Sequence, residues 1–211
     1  MPTVAFDFDS TLIPVESLDE LLAEVLAGKP EAAEEVRKIT VAGMEGRVPF
    51  VDSIRRRLAL ARPSRAQVEA FGRRAADLLT PGLPEAIAGL RADVWIVSGA
   101  LREALLPSAE RLGVPPERIV STRARWNGDG SMADLAEVAE KHEQLAPHAA
   151  RWARPRVLVG DGMSDYAVHR AGLVEHFVAF TAHARRAPVV ATGAPEARSV
   201  AELEYLLARI L

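Results

Sequence analysis

The chain has 211 residues, 49% of them hydrophobic, with a formal net charge of −3 and no cysteine. That length buries one good core plus a smaller appended unit, and the lack of Cys excludes disulfides and zinc–thiolate sites. A slightly acidic chain with no basic run interleaved with aromatics argues against nucleic acid as a partner, and no uncharged apolar stretch reaches the roughly 18 residues of a membrane span.

Val4-Ala5-Phe6 opens the chain as a short apolar strand, which speaks against a signal peptide, and the lack of Cys suits a cytoplasmic enzyme. Asp7-Phe8-Asp9-Ser10-Thr11 follows it. Two carboxylates two residues apart repel one another unless a cation or hydrogen-bond donors neutralise them. A turn-starting Asp followed by a helix-capping Asp would explain the pair structurally; a shared ligand would explain it functionally.

From about residue 15 to residue 79 the pattern is helical. Ser17-Leu18-Asp19-Glu20 reads as a capping box, with Leu18, Leu21, Leu22, Val25 and Leu26 at helical spacing before Gly28. Pro30 opens a second helix to about Gly43, Pro49 a third to about Ala61, and Ser64-Arg65-Ala66-Gln67 caps a fourth to about Leu79. Four helices without a strand, inserted after the first strand, predict a helical cap over 15–79 and a core of 1–14 and 80–211.

Strand-like runs return at Val94–Val97, Ile119–Ser121, Val157–Val159 and Phe177–Phe180, separated by helices. Short β-branched continuous runs of this kind predict buried parallel strands and an α/β fold. Gly128-Asp129-Gly130-Ser131-Met132-Ala133 matches a dinucleotide-binding pattern, but Asn127-Gly128 is a strong hairpin turn, and a strand before it would have to pass through Arg123, Arg125 and Trp126. Ser199-Val200-Ala201-Glu202 caps a last amphipathic helix.

Three predicted strands end in polar groups: Asp7 and Asp9; Ser98-Gly99; Gly160-Asp161-Gly162-Met163-Ser164-Asp165. Ligands of open α/β sheets bind beyond the strands' carboxyl ends, so these groups could share one crevice. Carboxylates, a hydroxyl and glycine amides, without Cys or paired His, suit Mg²⁺ and a phosphate. Lys141 is one of only three lysines among 26 basic residues; it is either a point contact for carboxylate and phosphate or a solvated helix lysine beside Glu140 and Glu143.

Asp7-Phe8-Asp9-Ser10-Thr11, Ser98-Gly99, Lys141 and Gly160-Asp161-Gly162-x-x-Asp165 resemble, in order, the four motifs of the haloacid dehalogenase superfamily. Glu16, Gly46-x-Val48-Pro49-Phe50, Arg57-Leu58-Ala59-Leu60, Pro63-Ser64-Arg65 and Leu79-Thr80-Pro81-Gly82 extend the resemblance to its phosphoserine phosphatases. The resemblance implies a Rossmann-like three-layer core with a parallel sheet, a four-helix-type cap and an Mg²⁺-dependent phosphomonoesterase of serine biosynthesis. It makes Asp7 the nucleophile and Asp9 the general acid and base, with Lys141 beside them. It assigns the metal to Asp7, the Asp9 carbonyl and Asp161, the phosphate to Ser98 and Gly99, and support of the metal shell or the lysine to Asp165. Glu16 would meet the substrate ammonium, Arg57 its carboxylate, and Phe50 would form an apolar wall. Two departures stand out: Glu45 beside Met44, and Phe180-Thr181-Ala182 where the family has glycines. A related small phosphate ester such as phosphohomoserine, phosphoryl transfer in place of hydrolysis, or a non-catalytic phosphate-binding role are the other readings; retention of both Asp7 and Asp9 argues against the last.

Overall fold

The computed structural model describes residues 1–44 and 47–211, the Met44 side chain excepted. Glu45 and Gly46, on which part of the cap reading drew, lie outside the described residues.

β1 (Thr3–Phe6), β2 (Asp93–Leu101), β3 (Ile119–Trp126), β4 (Met132–Glu137), β5 (Arg156–Gly160), β6 (His176–Phe180) and β7 (Glu196–Ala197) form one sheet in the order β4-β3-β2-β1-β5-β6-β7. Every pairing is parallel except that of β3 with β4. Alternation along the strands divides the core in two. Val4, Phe6, Ile96, Val157, Val159 and Phe180 pack on one face, and Ala5, Val97, Leu158, Phe177 and Ala179 on the other. Helices α5 (Leu83–Gly89), α6 (Arg102–Arg111) and α10 (Val200–Ile210) cover the first face through Ile87, Leu105 and Leu203. Helices α7 (Lys141–Ala149) and α8 (Met163–Arg170) cover the second through Leu145, Ala149 and Val168. β1 lies at the middle of this α/β sandwich, where Asp7 leaves it.

Among the described residues, four α-helices run between β1 and α5: α1 (Ser17–Val25), α2 (Pro30–Met44), α3 (Phe50–Ala61) and α4 (Arg65–Ala75). Ser64 and Gln67 form the expected reciprocal cap of α4. The expected capping box at Ser17 is not formed. Helix α1 has Glu16 at its N-cap, because the Ser17 amide donates instead to Asp9 Oδ1 at 3.0 Å. The entrance to the helical segment is thus tied to the second carboxylate of β1's tail. Leu21, Leu22, Ile54, Leu58, Val68 and Phe71 join the same apolar cluster as Val4 and Phe6. Helix α4 packs closely on α6: a Cβ at Gly72 would lie 2.8 Å from the Ala104 carbonyl oxygen. The chain leaves and re-enters the core at adjacent points, where the Thr80 amide donates to the Leu12 carbonyl at 2.9 Å.

β4 is not expected from the sequence, where Arg123, Arg125 and Trp126 speak against a strand. β3 does pass through all three. Their charges do not prevent pairing, because Arg123 meets Glu137 and Arg125 meets Asp134 across the antiparallel pair. The expected turn is present, with the Asn127 amide donating to the Ser131 carbonyl and the Gly130 amide to the Asn127 carbonyl, each at 2.9 Å. A strand follows it, not the helix that a dinucleotide site requires.

Candidate active site

Asp7, Asp9, Glu16, Phe50, Arg57, Ser98, Gly99, Lys141 and Asp161 line one cavity of about 560 Å³ between the carboxyl ends of β1, β2 and β5 and helices α1 and α3. Asp165 lies fully buried behind them. The order of burial separates residues that sequence alone left equivalent: Arg55 and Arg56 are exposed, while Arg57 is 9% exposed.

Asp7 terminates β1 and caps the turn that follows. Its Oδ1 accepts from the Phe8 amide at 2.7 Å and from Lys141 Nζ at 2.8 Å. Lys141 Nζ also donates to Asp165 Oδ1 at 2.5 Å. Its side chain is only 9% exposed, which rules out a solvated helix lysine. Burial alone would lower the Lys141 pKa, but Asp165 and Asp7 outweigh it and raise it. Burial and the neighbouring Asp165 push the Asp7 carboxyl up, and Lys141 pulls it back.

The backbone past Asp7 bends sharply. Ser10 is buried with φ 51°, a left-handed conformation that a non-glycine residue adopts only under constraint. The bend turns Ser10 Oγ toward Glu16 Oε1, 2.9 Å away. Asp9 receives the Ser17 amide, and burial followed by the charge of Glu16 pushes its carboxyl up to about 7. A carboxyl near neutrality can both give and take a proton.

Ser98 is 3% exposed, and its Oγ accepts from the Ala100 amide at 3.0 Å. Gly99 is needed for contact with the helical segment, since a Cβ there would lie 2.7 Å from Phe50 Cζ. Arg57 Nη1 donates to Asp19 Oδ1 at 2.7 Å and to Thr40 Oγ1 at 3.3 Å. Asp165 Oδ2 accepts from the Gly162 amide at 3.0 Å, so both its oxygens are held.

Gly160 admits Asp165 to this position. A Cβ at residue 160 would lie 2.3 Å from Asp165 Cγ. Gly160→Ala is therefore expected to cost roughly 1–3 kcal/mol of stability through overpacking. Gly128→Ala, with nothing within 4 Å, should leave stability unchanged. The shift in urea midpoint between the two variants measures the difference, and equal midpoints would contradict the close packing.

Asp7, Asp161 and Asp165 each offer a carboxylate oxygen, all within 4.8 Å of one another. Such a buried all-oxygen set fits a divalent metal ion and could hold one. The carboxylate of Asp9 is not in this set, consistent with its bond to Ser17.

The family model described as "haloacid dehalogenase-like hydrolase" matches residues 4–170, which include every group named above except those C-terminal to α8. The chain belongs to the haloacid dehalogenase-like hydrolases. It is similar to the chloroplastic phosphoserine phosphatase of Arabidopsis thaliana, 30% identical over an alignment of 200 positions that covers 89% of this chain and 65% of that relative's length. Among solved structures, a phosphoserine phosphohydrolase-like protein from Francisella tularensis superposes with TM-score 0.87 at 34% identity, covering 98% of this chain and 99% of that one. A phosphoserine phosphatase in a phospho-aspartyl intermediate analogue form superposes with TM-score 0.71 at 28% identity, covering 100% and 99%.

One residue of this hydrolase's cavity was not expected from sequence. Arg186, at the start of α9 (Ala187–Val190), donates from Nε to Asp161 Oδ2 at 2.6 Å and from Nη2 to Glu16 Oε1 at 2.8 Å. The altered segment after β6 was visible in the sequence, but nothing in its spacing indicated that the second of Arg185-Arg186 would reach back across the sheet ends. Asp19, the partner of Arg57, was likewise read only as part of a helix start.

Among the described residues, no helix is long and apolar enough to cross a membrane.

Proposed function

We propose that this hydrolase is an Mg²⁺-dependent phosphomonoesterase that hydrolyses phospho-L-serine to L-serine and phosphate through an aspartyl-phosphate on Asp7. The juxtaposition of Asp7, Lys141 and Asp165 with a neighbouring Asp9 whose carboxyl titrates near neutrality carries the reading. With Asp7 Oδ1 held by Phe8 and Lys141, Oδ2 is the oxygen left for attack on phosphorus. Asp9 protonates the departing serine oxygen and then takes the proton of the attacking water. Ser98 and the Gly99 amide hold phosphate oxygens, and Lys141 compensates charge between nucleophile and phosphate. Asp7, the Asp9 carbonyl and Asp161 would hold the metal, which screens the repulsion between an anionic nucleophile and an anionic ester. Asp165 positions Lys141. Residues 15–79 act as a cap that selects the substrate over the core of 1–14 and 80–211.

Recognition of the amino acid uses the oxygen and nitrogen that, among the described residues, internal pairing does not engage. Glu16 Oε1 is engaged by Ser10 and Arg186, leaving Oε2 for an ammonium. Arg57 Nη1 is engaged by Asp19 and Thr40, leaving Nη2 for a carboxylate, with Phe50 as apolar wall. Glu16→Gln and Arg57→Ala should each lower kcat/KM on phosphoserine by roughly 30-fold to several thousand-fold, as an unpaired desolvated charge is left behind. p-Nitrophenyl phosphate should escape that loss. Equal losses on both esters would mean that the two residues hold the cap together and do not read the amino acid.

The Asp9 carboxyl supplies a pH dependence with a definite sign. Its proton is needed for the leaving group, so kcat/KM on phosphoserine should fall about tenfold per unit above the value near 7. Glu16 helps to raise that value, so Glu16→Gln should move the alkaline limb to lower pH. A limb that stays in place would remove Asp9 from the acid role. Phosphate release from a panel of small phosphate esters, with Mg²⁺ and after chelation, tests the proposal as a whole: phosphoserine should lead the panel, and release should stop without metal. Undiminished release after verified metal removal, or preference for another ester, would overturn the corresponding part.

A further inference from the structure

The three clustered carboxylates are each already matched by a side-chain cation. Lys141 serves Asp7 and Asp165, and Arg186 serves Asp161. The two cations differ in their freedom to leave. The Lys141 side chain is 9% exposed and paired on two sides, whereas that of Arg186 lines the same cavity and is 41% exposed. Asp161 is 5% exposed and directly follows the central strand β5. Among the described residues, a cation that competes for Asp161 therefore has one side-chain cation to displace, and that group is already partly open to solvent.

We propose that Arg186 is a positioning residue that competes with the divalent metal for Asp161 and ties metal occupancy to the cap entrance through Glu16. The inference rests on Asp161 being a metal ligand, as the proposed function holds. Nε occupies Asp161 Oδ2, while Nη2 of the same planar group occupies Glu16 Oε1 next to Ser10. Because the guanidinium is rigid, its Asp161 and Glu16 contacts cannot be adjusted independently. Metal binding at Asp161 thus alters the charge facing Glu16, the residue assigned to the substrate ammonium. Arg185, the preceding residue, carries the same charge but pairs with Glu196 away from the cavity, and so serves as a control.

Mn²⁺ binding to the full-length protein, followed by calorimetry and by electron paramagnetic resonance without substrate, tests this. R186Q and R186M, which both remove the competing charge, should bind Mn²⁺ on the order of tenfold more tightly than the parent. R186K, which keeps the charge, should stay within a few-fold of the parent, as should R185Q. Unchanged or weaker binding in both neutral variants, with D161N binding poorly, would overturn the role of Arg186 and leave the metal site standing. An equal gain in R185Q would reduce the effect to net charge and also overturn it. Parent-like binding by D161N would instead overturn Asp161 as a ligand.

Discussion

Asp7→Asn is expected to lower phosphate release from phosphoserine by at least about 10⁴-fold while leaving the protein folded. The substitution is close to isosteric at a site only 7% exposed, and an Asn oxygen can still accept from the Phe8 amide and from Lys141. What is lost is the nucleophile: an amide oxygen does not form an acyl phosphate that water then cleaves. Burial and Asp165 already push the Asp7 carboxyl up, so a neutral side chain is not a large structural insult. Thermal unfolding should therefore fall within a few degrees of the parent or above it. Residual turnover within a hundredfold of the parent, in purified variant free of parent enzyme, would show that another group attacks phosphorus.

Lys141→Met should be as damaging to turnover for a different reason, and should also destabilise the fold. It removes the cation from between Asp7 and Asp165, whose oxygens lie 2.8 Å and 2.5 Å from Nζ. Deleting one partner of a buried ion pair costs about 3–5 kcal/mol, because the remaining charge is left uncompensated. Without Lys141 the remaining influences on Asp7, burial, Asp165 and Asp9, all raise its pKa, so its nucleophilic form becomes scarcer. Turnover should drop by roughly 10³-fold or more. The sign of the pH dependence follows: a carboxyl whose folded pKa is raised stabilises the fold at low pH and loses that contribution as pH rises through the raised value. The stability gap between parent and K141M should accordingly be widest above neutrality and shrink toward pH 5. Urea midpoints at several pH values measure it; a gap that is constant with pH would mean that Lys141 contributes packing and not charge.

Much of this site was legible because buried parallel strands leave a strong trace. Val4-Ala5-Phe6, Val94–Val97 and Val157–Val159 are continuous apolar runs that end in the polar residues they deliver, so the convergence of Asp7, Asp9, Ser98 and Asp161 followed from topology alone. Lys141 was marked by its rarity among arginines. β4 left no such trace, since an edge strand with Asp134 and Glu137 has neither a continuous apolar run nor a clean alternation. The Ser17 box failed because a local capping signal was overridden by a longer-range bond: the Ser17 amide donates to Asp9. Arg186 was illegible for a related reason. Its partners Glu16 and Asp161 are 170 and 25 residues away, and only the closing of the sheet brings them together.

The most direct test of the account is to quench the enzyme in acid during turnover of phosphoserine with Mg²⁺ and locate the phosphate by peptide mapping. An acid-stable, hydroxylamine-sensitive acyl phosphate is expected on Asp7 and should be absent from Asp7→Asn. Phosphate carried instead on Ser10 or Ser98, resistant to hydroxylamine and still present in Asp7→Asn, would contradict it.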